Sequence, residues 1–90
     1  MEEKVIQIIE RLTGFKDLKN NKDIDLIENE IIDSLAFIEL VSSLEDEFEI
    51  EIQPTQIDPN TWRKLHSIVN LVNELKKYKK GMNQKTNKYV

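Results

Sequence analysis

The sequence predicts an all-α fold: a small four-helix bundle of three long helices and one short one, with a long loop between the first two. Three observations lead there. Apolar residues recur at helical spacing in three windows, Val5 to Leu12, Phe37 to Phe48 and Leu65 to Leu75. Two glycines and two prolines are too few for the many tight turns of an all-β chain. There is no cysteine, so neither a disulfide framework nor a thiolate metal site organises the chain. With 90 residues, 39% of them apolar, one small domain with a thin core is expected. That domain is placed at 1–79, followed by a disordered basic tail at 80–90.

The first helix is read from Glu2 to Thr13. Val5, Ile8, Ile9 and Leu12 form its stripe, with Ile6 at the edge. Glu2 and Glu3 sit at the positive end of the helix dipole, and Gly14 is a natural terminator. Phe15 to Ile32 has little periodicity. Lys19-Asn20-Asn21-Lys22 reads as an exposed turn, while Leu26, Ile27, Ile31 and Ile32 are anchors that pack the loop over the helices.

The second helix is read from Asp33, as its N-cap, to Phe48. Asp and Ser accept well from the free N–H groups of a helix start. Plotted at about 100° per residue, Leu40, Val41, Leu44 and Phe48 fall within roughly 60° of Phe37, a core stripe. Leu35 and Ile38 lie off it, beside Ser34 and among carboxylates. Single exposed apolar residues are ordinary on a surface. Two of them beside a serine at a helix start also suit a docking face next to a modified residue.

Ile50 and Ile52 alternate with polar residues, suggesting a short extended piece that Pro54 stops. Pro54 to Ile57 is read as the start of the short third helix, and Asp58-Pro59-Asn60-Thr61 as a turn. Trp62, the only tryptophan, is read as a core or lid residue. The last helix is read from Leu65 to Lys79, with Leu65, Ile68, Leu71, Val72 and Leu75 as its stripe and Gly81 closing it.

Net charge is −4, but it is unevenly spread. Twelve acidic residues and no lysine or arginine lie between Asp23 and Asp58, whereas residues after Trp62 are strongly basic. The acidic field attracts basic partners and repels nucleic acid over most of the surface. The opening Glu2-Glu3-Lys4 does not read as a signal peptide, and no run approaches the ~18–20 apolar residues of a membrane span. A cytoplasmic location is expected.

Side-chain chemistry is sparse. His66 is the only histidine and is read as a surface residue rather than a base. Asp23-Ile24-Asp25 begins like a calcium loop, but Glu28 stands where that loop needs glycine. No glycine-rich phosphate loop is present.

Asp33-Ser34-Leu35, Glu39-Leu40-Val41 and Leu44-Glu45-Asp46-Glu47-Phe48 together resemble the modification site and second helix of acyl carrier proteins. Glu28-Asn29-Glu30-Ile31-Ile32-Asp33-Ser34 and Ile57-Asp58-Pro59-Asn60-Thr61-Trp62 look most like D-alanyl carrier proteins. The resemblance covers about Met1 to Tyr78. It implies a carrier-protein bundle with 4'-phosphopantetheine attached to Ser34 and Asp33 recognised by the transferase. It implies a stand-alone carrier, not an enzyme, that holds an acyl or aminoacyl cargo as a thioester. The implied partners are a phosphopantetheinyl transferase, an acyl- or aminoacyl-adenylating ligase and a downstream acyltransferase or synthase, meeting a monomer without membrane insertion. Leu35, Ile38, Glu39, Glu45 and Asp46 are the expected docking residues. The alternatives are a fatty-acid or polyketide carrier and, in another class, an acidic helical interaction module without a prosthetic group. The chain departs from many carriers at Glu30 and Ile31, where a glycine is common three or four residues before the serine. That bears on the path of the loop.

Overall fold

A computed structural model describes the backbone of residues 1–88 and the side chains of residues 1–77. It contains three α-helices, α1 (Glu2–Thr13), α2 (Ser34–Phe48) and α3 (Leu65–Lys88), and no strand among the described residues. Short 3-10 turns occupy Leu18–Asn20, Pro54–Gln56 and Pro59–Trp62.

The core follows from the apolar stripes. Val5, Ile8 and Ile9 of α1 meet Leu40 and Leu44 of α2 and Leu65, Ile68 and Val72 of α3 in one buried cluster. The long loop adds Leu18, Leu26 and Ile32 to it, so the predicted packing of the loop over the helices holds. Gly14 ends α1 at φ 78°, a left-handed position at which a side chain is strained, and its N–H closes onto the Glu10 carbonyl. The Glu10 carboxylate then accepts from the Leu18 N–H at 2.8 Å, which folds the chain back against α1.

Four features differ from the sequence reading. The predicted short third helix is instead two 3-10 turns. Pro59 disfavours helical backbone at the residue before it, and Asp58 accordingly sits at ψ 123°, which separates the turns. The expected extended piece forms no strand. Ile50 and Ile52 are both buried, and the Ile52 N–H donates to the Glu45 carboxylate at 2.8 Å rather than to a ladder.

Third, α2 is rotated from the predicted stripe toward Leu40. Ala36, Leu40 and Leu44 are buried, while Phe37, Val41 and Phe48 are half-buried. The two phenylalanines find partners at the rim. Phe37 meets Trp62 edge-on at 5.1 Å between ring centroids, and the Lys76 ammonium lies 5.8 Å from the centre of the Phe48 ring. Trp62 itself is buried, as a core residue should be. Fourth, α3 continues through Gly81 to Lys88. Glycine in a helix interior costs about 1 kcal/mol relative to alanine but does not forbid the conformation. The tail expected at 80–90 lies outside the residues whose side chains are described, and residues 89 and 90 lie outside the described backbone as well.

Candidate functional site at the start of the second α-helix

Ser34 is the first residue of α2, and the residue before it makes the helix start. Asp33 is extended at φ −96° and ψ −172°, and its Oδ1 accepts from the Ala36 N–H at 2.8 Å. The Asp33 carbonyl accepts the first helical bond, from the Phe37 N–H at 2.8 Å. The N–H groups of the first turn ahead of Ala36 therefore point out of the helix without a helical partner. They give Ser34 a positive local environment suited to an anion. Ser34 is exposed, and its hydroxyl has no hydrogen-bond partner among the described residues. It is free to carry a group.

Around it lie the predicted docking residues. Leu35 and Ile38 are 66% and 63% exposed, two large apolar side chains three residues apart on the same helix. Glu39 and Asp46 are exposed on the same side of the helix. Glu45 is different. It is half-buried, and its Oε2 is taken up by the Ile52 N–H, so it fastens the segment after α2 to the helix. Asp46 stands ~18 Å along the helix from Ser34, at 1.5 Å per residue, and so belongs to the distal part of any contact.

A shallow groove of about 240 Å³ opens at the foot of Ser34. Leu35, Ala36 and Glu39 form one wall, the end of α1 at Leu12 and Thr13 another, and Glu30, Ile31 and Asp33 the third. Its lining is mostly polar and includes three carboxylates, Glu30, Asp33 and Glu39. The loop wall is an addition to the predicted site, and its backbone is particular. Residues 25–30 make a single tight turn that ends at Glu30 with φ 57°, a left-handed conformation normally left to glycine. The departure at Glu30 and Ile31 from the glycine common in many carriers falls on this turn, and Glu30 takes the left-handed position.

Asp25 holds the beginning of that turn. Its Oδ1 accepts from the N–H groups of Ile27 and Glu28 at 3.0 and 2.8 Å, and its Oδ2 accepts from the Arg63 guanidinium at 3.0 Å. The Glu28 N–H does most to hold this carboxyl below the ordinary carboxylate range; the Arg63 charge and hydrogen bond assist, and partial burial opposes them. No group of three or more His, Cys, Asp or Glu is placed to hold a metal among the described residues. His66 is exposed on α3, as read. Among the described residues no helix is long and apolar enough to cross a membrane.

The structure is a small helical bundle with an exposed serine at a capped helix start. Comparison with known families makes this specific. Residues 3–75 match the family model described as "Phosphopantetheine attachment site", and the chain belongs to that family. It is 34% identical over 76 residues to a D-alanyl carrier protein of Lactococcus lactis subsp. lactis (strain IL1403), covering 84% of this chain and 96% of that one. A D-alanyl carrier protein of Streptococcus uberis (strain ATCC BAA-854 / 0140J) is 36% identical over 75 residues, covering 83% and 94%. One of Bacillus subtilis (strain 168) is 30% identical over 74 residues, covering 82% and 95%. The chain is thus a carrier, and its prosthetic group is covalently attached 4'-phosphopantetheine.

Proposed function

We propose that Ser34 bears the 4'-phosphopantetheine and that the cargo is an aminoacyl group of the D-alanyl type. The observation that carries the first part is the exposed, unpartnered Ser34 hydroxyl at an Asp33-capped helix start. Ser34 Oγ forms a bond to phosphorus, the pyrophosphate link of coenzyme A breaks, adenosine 3',5'-bisphosphate leaves, and the hydroxyl proton passes to the transferase. The outward N–H groups of the first turn then face the phosphodiester anion. Asp33 is the residue that the transferase recognises. The attached group supplies the thiol that holds the cargo as a thioester. In this reading the chain is a cytoplasmic, monomeric carrier and not itself an enzyme. It meets a phosphopantetheinyl transferase, an adenylating ligase and a downstream acyltransferase in turn.

The D-alanyl reading rests on the names of relatives that are 30–36% identical over nearly their whole length. Leu35 and Ile38 supply apolar contact at the root of the arm, and Glu39 and Asp46 supply charge that speeds encounter and sets orientation. Intact mass after incubation with coenzyme A and a broad-specificity transferase tests the attachment. One addition is expected on the wild type and none on Ser34→Ala. Addition at Ser42 or Ser43, or no addition to the wild type, overturns the assignment. Loading of the modified protein by an adenylating ligase offered D-alanine or fatty acids then decides the cargo.

A further inference from the structure

We infer that Arg63 and Asp25 are positioning residues for the transfer to Ser34, acting through the loop wall of the groove. The inference rests on the reading of Ser34 given above. It starts from where the basic residues go. Between Lys22 and Lys76 the sequence holds only Arg63 and Lys64 as lysine or arginine, and both are spent on the long loop. Arg63 bonds the Asp25 carboxylate at 3.0 Å and the Asn60 side-chain oxygen at 3.0 Å. The Arg63 carbonyl accepts from the Leu26 N–H at 2.6 Å, and the Lys64 ammonium donates to the Asp23 carbonyl at 2.9 Å. The segment just before α3 therefore grips residues 23–26 by side chain and backbone together.

The grip continues toward the serine. The Leu26 carbonyl accepts from both Ile31 and Ile32, at 2.9 and 3.0 Å, and the Glu30 N–H closes onto Ile27 at 2.9 Å. Leu26 and Ile32 are buried, so this backbone has little freedom to slide. The result fixes Glu30 and Ile31 as the wall that faces Leu35 and Glu39 across the groove. A partner that contacts the foot of Ser34 meets a surface whose third side is set from the far end of the loop. Arg63 does not touch that surface. Its role is to hold it in register, so its loss should weaken partner binding more than the chemical step.

The experiment measures transfer from coenzyme A to the apo protein at varied carrier concentration, using a broad-specificity transferase. It compares wild type, Arg63→Met, Arg63→Lys and Asp25→Asn. Lys77→Met serves as a control on an exposed ion pair with Glu74 in α3, outside the groove. For Arg63→Met and Asp25→Asn we expect KM for the carrier to rise about tenfold with kcat within about twofold, the signature of lost binding shared by ground and transition states. Arg63→Lys should recover part of the loss, and Lys77→Met should match wild type. In parallel, backbone amide resonances of Ile27 to Ile32 should move in Arg63→Met while those of Val5 to Ile9 stay. Folded variants with wild-type KM overturn the inference, as do resonance changes spread through all three helices. Should Arg63→Met not fold, Asp25→Asn decides the matter, because its amide oxygen still accepts from Ile27 and Glu28 while the charge facing Arg63 is gone. A wild type that is never modified fails the Ser34 assignment instead, so the two failures are distinguishable.

Discussion

The two faces of α2 carry the same kind of residue for opposite purposes. Leu40 and Leu44 are fully buried against α1 and α3, while Leu35 and Ile38, a few residues away, are about two-thirds exposed. Apolar character alone does not separate them; position on the helix does. The inner pair is constrained by volume, since the interior is close-packed and any lost methylene leaves a void. In the proposed function the outer pair is constrained by what approaches Ser34, so the inner face can stay constant while partners meet the outer one.

The sharpest way to break this comparison is to truncate one residue from each face. Leu44→Ala should destabilise by about 2–5 kcal/mol, as cavity-forming changes do. Ile38→Ala should stay within about 0.5 kcal/mol of wild type, as surface changes do. Urea unfolding followed by circular dichroism measures both. Equal losses would mean that the exposed pair is structural and that the docking face has been misassigned.

A second comparison separates the carboxylates of the outer face. Glu45→Ala removes the acceptor of the Ile52 N–H and should cost about 1–3 kcal/mol, the usual penalty for leaving a sheltered donor unpaired. Reversing Glu39 and Asp46 to lysine should leave the far-UV spectrum and the unfolding midpoint nearly unchanged but slow modification of Ser34. Added salt should slow the wild type toward the same rate, because screening already acts over about 8 Å at physiological ionic strength. Rates indifferent to both charge and salt would reduce this face to a solvated surface.

The smallest effect concerns the loop behind the groove. The Asp25 carboxyl is held below the ordinary range, first by the Glu28 N–H and then by Arg63. A depressed folded value means that the charged form favours the fold. Its stabilisation is complete above the unfolded value of about 3.9 and fades as pH falls through the lower folded value. The stability advantage of wild type over Asp25→Asn should therefore be level near neutrality and shrink below about pH 4. Parallel stability curves down to the acid limit would show that the Asp25 charge does not secure the loop.

Much of this was legible in the sequence, because it is local. The α1 stripe, the Gly14 stop, the Asp33 cap, and the exposure of Ser34, Leu35 and Ile38 depend on periodicity and capping. What escaped the sequence depends on contacts between distant segments. The rotation of α2 sets Phe37 against Trp62, 25 positions later, a contact that periodicity alone does not show. The grip of Arg63 on Asp25 joins residues 38 apart, and nothing in either one's neighbourhood announces it. Glu45 looked like one more carboxylate in an acidic run. Only the path of the chain after Phe48 shows that it is bonded inward.

Left-handed backbone occurs on either side of α2, at Glu30 before it and at Glu49 as its C-cap, and both positions hold glutamate rather than glycine. An L-residue in that conformation gives up about 1–2 kcal/mol relative to a relaxed one. Substitution of Glu30 by glycine would relieve strain and remove one negative charge from the approaches to α2. At Glu30 that exchange sets backbone ease against charge on the wall of the groove.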